Sequence, residues 1–264
     1  MNTVINEASV RRATLKGEPT EVCGLPFYGL QVSQYEEWQT IKSVLLRRQT
    51  TLPVFCLALP FIDAMFALEV RAIEETGQAV GLMNVIMNGM AMALKMPASS
   101  VRDNLIRLNV AKGELKGFFI ADQAGFDSAF IPKAAFHSIR QVIAWQQGEE
   151  LPDESLNDDL LETEKDLAAR NALNLKLSFE DLLASVALNL HMRIADIDNM
   201  SILEFETMRR AIDRDKRHMI CAIAEGSGTR WTGGNPCPSW IYDKESKESG
   251  ALVAASKFSG MAQK

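Results

Sequence analysis

The chain is poor in the residues that carry out chemistry. Of its 264 residues only three are histidine, His137, His191 and His218, and neither HExxH nor another helical ligand spacing joins them. No GxSxG elbow occurs, which excludes a serine hydrolase of that type. Gly233-Gly234 lacks the GK[ST] ending of a phosphate-binding loop and reads as a turn before Asn235-Pro236. The four cysteines, Cys23, Cys56, Cys221 and Cys237, contain no CxxC pair. Cys56 and Cys221 lie in apolar helical runs and read as small buried hydrophobes, whereas Cys237, between two prolines, reads as more exposed. Asp196 and Asp198 near His191 suggest first a polar turn between helices and only second a carboxylate–imidazole cluster. No catalytic, cofactor-binding or metal-binding residue is assigned, and no cofactor is expected.

Long apolar runs are missing too. Pro53, Pro60, Asp63 and Glu69 interrupt 52–70, and 80–96 falls short of the ~20 residues that span a bilayer. Both read as buried helices, so no membrane partner is expected. The polar N-terminal stretch, with Arg11, Arg12 and Lys16, does not resemble a signal peptide, and free thiols in a reducing cytoplasm are expected. Excess positive charge is also absent. A net charge of −6 and a pI near 5.3 argue against a general nucleic-acid binder. The basic set Arg209, Arg210, Arg214, Lys216 and Arg217 is interleaved with Glu204, Glu206, Asp213 and Asp215 and reads as a self-paired helix face. Between 149 and 166 acidic residues accumulate against the single base Lys165. That stretch reads as a solvated linker and helix start, with an acidic docking face as the second reading.

What is present is an ordinary apolar content of 47% arranged mostly at helical spacing. Residues 1–32, punctuated by Gly17, Pro19, Gly24, Pro26 and Gly29, read as an extended segment. Ser33 and Glu36 form a capping-box pattern for a helix reaching about Gln49, with Tyr35, Trp38, Ile41 and Leu45 as its buried stripe. Helices follow over 60–75 and 80–95, the second rich in methionines that read as core filling before they read as a binding groove. Ser100 to Asp103 suggest a further short helix. Phe118, Phe119, Ile120, Phe126, Phe130 and Ile131 around Gly125 predict a small β-hairpin over 115–131, and Pro132 opens the next helix. A charged helix over 158–173, a helix capped by Ser178 and a long helix from Ser201 to about Glu225 complete the body. The long helix shows one apolar stripe of Ile202, Phe205, Met208, Ile212, Met219 and Ile223. The fold class is therefore mainly α: a multi-helix body with a small β-hairpin near 115–131 and an irregular aromatic C-terminal tail. The expected organisation is 1–32, 33–148 with the hairpin, an acidic linker and helix at 149–174, a helical domain at 175–225, and a docking tail at 226–264.

That tail is the most telling stretch. Gly and Pro recur too often for helix, yet it carries Trp231, Trp240, Ile241 and Tyr242, which a solvated linker would lack. Trp231, Pro236, Pro238, Trp240, Ile241 and Tyr242 are the candidate partner-binding residues.

Several motifs resemble a family encoded in the tail-gene clusters of phages and phage-tail-like bacteriocins. On the N-terminal side they are Cys23-Gly24-Leu25-Pro26, then Tyr35, Trp38, Lys42, Leu45, Arg47 and Arg48, then Leu52-Pro53 and Phe61-Ile62-Asp63-Ala64. On the C-terminal side they begin at Phe179-Glu180-Asp181-Leu182-Leu183. They continue through Glu204-Phe205-Glu206 and Arg210-Ala211-Ile212-Asp213-Arg214 to Gly234-Asn235-Pro236-Cys237-Pro238-Ser239-Trp240. The middle, from about Gly113 to Asn174, adds little. The resemblance implies a non-enzymatic role in tail morphogenesis, acting in the host bacterial cytoplasm. The first reading is a tail assembly chaperone binding tube or tape-measure subunits, with homo-oligomers also compatible. The alternative is a structural part kept in the virion tail, such as a baseplate, hub or tail-completion subunit. A helical DNA-binding regulator is disfavoured by charge, and an enzyme comes last.

Overall fold

The computed structural model describes residues 5–122, 125–155, 178–231 and 235–237. It is mainly helical, with two small antiparallel sheets among the described residues. The chain divides into two compact units: Met1–Glu154 with Ala195–Glu206, and Ser155–Ile194 with Thr207–Lys264.

In the first unit the chain opens with α1 (Glu7–Leu15), where the glycine and proline count predicts an extended segment. Asn6 caps α1 by accepting from the Ala8 amide at 2.8 Å, and Glu7 pairs with Arg11 at 2.9 Å, so local polar bonds suffice to start a helix. The glycines and prolines behind it build a hairpin instead. β1 (Thr20–Val22) and β2 (Leu25–Phe27) are joined by Cys23-Gly24, both at positive φ (54° and 75°), as a two-residue type I′ turn requires.

Helix α2 (Tyr35–Leu45) buries Trp38, Ile41, Val44 and Leu45. Its entry is a single 3-10 turn, Val32–Gln34, closed by the Gln31–Gln34 pair, so the cap lies two residues ahead of the predicted Ser33. Helix α3 (Phe61–Thr76) starts after Pro60 and stops at Gly77, whose φ of 72° only glycine adopts without cost. Helix α4 (Leu82–Ala93) packs against α2, α3 and the sheet that follows, which explains why apolar residues surround it. Met83, Met87 and Met90 are buried there, each contributing about 1.5–3 kcal/mol of hydrophobic stabilisation. The orphan amides at the α4 N-terminus are satisfied from outside: the buried carboxylate of Glu69 accepts from Gly81 and Leu82, both at 2.8 Å.

Beyond α4 the Ser100 region forms turns and no helix. It leads into β3 (Ile106–Ala111), which with β4 (Glu114–Ala121) and β5 (Asp127–Pro132) makes a three-stranded meander. The predicted hairpin is thus present, with one more strand on its β4 edge. Phe118 from the sheet meets Phe136 of α5 (Phe136–Gln146), ring centroids 5.9 Å apart. The first acidic residues after α5 are tied down: Glu149 pairs with Lys42, and Glu154 accepts from the Gln49 amide at 3.0 Å. The predicted charged helix over 158–173 lies outside the described residues.

Helix α6 (Phe179–Leu190) has the predicted box, Ser178 Oγ accepting from Asp181 N at 3.1 Å. A short α7 (Ile194–Asp198) precedes α8 (Ile202–Gly226), which Ser201 caps through the Glu204 amide at 3.2 Å. The boundary between the units falls inside α8, after Glu206.

Five of the helix ends follow one rule. After α1, α4, α5, α6 and α8 a residue at positive φ, Gly17, Lys95, Gly148, His191 or Gly228, turns the chain so that two amides reach back to the last free carbonyls. His191 is exposed and pays the left-handed strain that glycine avoids. His191→Gly is expected to stabilise the protein by about 0.5–1 kcal/mol, read as a higher urea midpoint at unchanged slope.

Candidate docking surfaces

The second unit carries what is described of the C-terminal tail. Gly228 ends α8 at φ 91°, with Gly228 N bonded to Glu225 O and Thr229 N to Ala224 O, both at 2.9 Å. Trp231 is half-buried, and its buried indole N–H has no hydrogen-bond partner among the described residues. The chain then meets α8 again. His218 Nδ1 lies 3.0 Å from the carbonyl oxygen of Cys237, and Cys237 N donates to Asn235 Oδ1 at 2.7 Å. Pro236 is exposed. Of the predicted partner-binding residues, Trp231 and Pro236 therefore lie on a segment that contacts α8, while Pro238, Trp240, Ile241 and Tyr242 lie outside the described residues.

On the face away from His218 and Cys221, α8 exposes a ridge that a 3.6-residue period alone assigns to the interior. Ile202 and Phe205 are buried, Met208 and Ile212 are half-buried, and Met219, Ile220 and Ile223 are 53%, 66% and 66% exposed. The predicted stripe is thus continuous in sequence but covered only at its start. Leu188 of α6 is likewise exposed. On the polar side Arg209 and Asp213 pair at 3.4 Å, a solvent-screened contact of little energetic weight.

The first unit has a groove of about 360 Å3 between α2 and α4. Gly89 lets the two helices pack closely beside it, since a Cβ there would stand 2.8 Å from Ile41 Cγ2 and push them apart. Met92 and Met96 line the groove with Ile41 and Val85, and Glu37 and Asn88 supply polar walls. The methionines therefore divide, three filling the core and two facing the groove.

Chemically reactive geometry is sparse. No group of three or more His, Cys, Asp or Glu side chains among the described residues is placed to hold a metal ion. Burial pushes the Cys56 thiol up, against the pull of Arg71. Burial, followed by a hydrogen bond with Cys237, pushes the Cys221 thiol up. No helix among the described residues is long and apolar enough to cross a membrane. Comparisons with models of protein families, with curated proteins and with solved structures yield no match.

Proposed function

We propose that the protein is a non-enzymatic tail-morphogenesis factor, a tail assembly chaperone that covers tube or tape-measure subunits before they polymerise. The observation that carries this reading is the exposed ridge of Met219, Ile220 and Ile223 on α8. Contiguous apolar side chains at a surface are the usual anchors of a protein partner. The motif resemblance points to which partner, and the acidic charge suits a carrier that must release its cargo.

Replacing Ile220 and Ile223 together by lysine is expected to leave stability within about 0.5 kcal/mol, because both side chains already face water. Capture of tube or tape-measure subunits in a pull-down from induced lysate should fall by roughly tenfold or more. Mass spectrometry of purified particles decides the rest. Absence from particles together with lysate capture supports the chaperone. Fixed stoichiometry in particles replaces it with a structural component of the tail, and neither capture nor incorporation sinks both.

A further inference from the structure

Two of the four cysteines meet. Cys221 lies on α8 one turn after His218, so the two side chains share a helix face. Cys237 is brought to that face by the contact between its own carbonyl and His218 Nδ1, and the bond from its amide to Asn235 Oδ1 holds the backbone there. Both thiols are free, and Cys237 is near enough to bear on the Cys221 thiol. Cys23 sits instead in an exposed turn, and Cys56 is buried with its sulfur 3.8 Å from the Ala64 carbonyl.

We propose that Cys221 and Cys237 form a thiol–disulfide site, oxidised by small-molecule disulfides, that clasps the C-terminal segment onto α8. The order of events follows from access. Cys237 is half-buried and open to attack, whereas Cys221 is buried, which pushes its thiol up. Cys237 loses its proton, and its thiolate attacks one sulfur of oxidised glutathione, releasing one glutathione thiolate that takes up a proton. Cys221 then loses its proton and attacks the Cys237 sulfur, expelling the second glutathione. Two protein thiols are oxidised, one small disulfide is reduced to two thiols, and no further reactant enters. Disulfide formation brings the two sulfurs to about 2.05 Å. Once formed, the bond fixes Cys237 and the adjoining Pro236 on the His218–Cys221 face of α8, away from Met219, Ile220 and Ile223, which occupy the opposite face of the helix. The site does not depend on the tail-morphogenesis reading and stands or falls separately.

The test is to equilibrate the full chain across a series of glutathione redox buffers, alkylate, and digest with trypsin without reduction. Peptides 218–230 and 231–244 each carry one of the cysteines. They should appear linked, with alkylatable thiols falling from four to two. The native chain should reach half-oxidation at roughly tenfold less oxidised glutathione than the same chain in guanidinium, because folding raises the effective concentration of the pair. Cys221→Ser should trap Cys237 as a mixed disulfide with glutathione, and Cys237→Ser should leave peptide 218–230 fully alkylated. A wild-type chain that yields only mixed or chain-to-chain disulfides overturns the proposal. So does one that forms the linked pair no more readily folded than unfolded.

Discussion

Arg140→Ala lowers the stability of the first unit by about 3–5 kcal/mol, a cost of the size expected for a cavity plus two orphaned carbonyls. Arg140 is 5% exposed and has no carboxylate in direct contact among the described residues. Its Nε donates to the Leu45 carbonyl at 2.5 Å, Nη2 donates to the Arg47 carbonyl at 3.1 Å, and the guanidinium carbon stands 3.6 Å from the Phe61 ring centroid. One side chain of α5 thereby holds the end of α2 and the start of α3. Leu45, Arg47 and Phe61 are also among the residues that carry the motif resemblance. Burial pushes the guanidinium down to about 10, opposed by Glu154. That fall corresponds to roughly 3 kcal/mol of desolvation cost, offset by two charge-assisted bonds and the aromatic face. Because the folded value lies below the unfolded one, that cost is present in full at neutral pH. It is relieved only as pH rises above about 10 toward the ordinary guanidinium range.

Two further substitutions separate volume from hydrogen bonding. Arg140→Met refills most of the space but leaves both carbonyls bare, and should still cost about 2–4 kcal/mol. Arg140→Lys keeps a charge but loses the fork that reaches two acceptors at once. Urea unfolding followed through the buried Trp38 measures all three. A methionine variant as stable as the parent would show that the two carbonyls carry no weight and that Arg140 is only a filler.

Helix starts and stops were legible in the sequence because they are local. Ser178 with Asp181, Ser201 with Glu204, and Gly77 each act within four residues of themselves, and each appears where its pattern places it. The sheet was only half legible. Lys112-Gly113, at φ 55° and 78°, is the same kind of turn as Cys23-Gly24, and with the alternation of β3 it could have announced the extra strand. Reading Ser100 to Asp103 as a helix start hid that signal. The first 32 residues misled for the opposite reason: their glycines and prolines cluster after Leu15 and say nothing about the helix before them.

The candidate site was less legible still. Periodicity puts Met219 and Ile223 on one face of α8 but does not say whether anything covers that face. The meeting of Cys221 with Cys237 depends on the chain doubling back through Gly228 to His218, and no local pattern encodes that return.

Gly117→Ala is expected to cost about 3 kcal/mol or more, for reasons that lie in the middle strand of the meander. β4 pairs with β3 on one side and β5 on the other, and its register against β3 shifts at Asn109/Val110, so that Lys116 is the extra residue beside Gly117. At this irregularity the backbone of Gly117 takes φ 155° and comes close to β5. A Cβ there would stand 2.1 Å from the Ile131 carbonyl oxygen and 2.9 Å from the Phe130 ring. The backbone oxygen cannot rotate away, so relief requires β5 to move. β5 carries buried Ile131, and the neighbouring Phe118 packs on Phe136, so movement of the sheet is transmitted to α5. Gly113→Ala is the matched comparison. Gly113 has φ 78° with nothing within 4 Å of its added Cβ, so only backbone strain of about 1 kcal/mol is expected. The difference between the two losses in urea unfolding isolates the clash, and equal losses would mean that β5 gives way freely and that the bulge does not hold the sheet against the core.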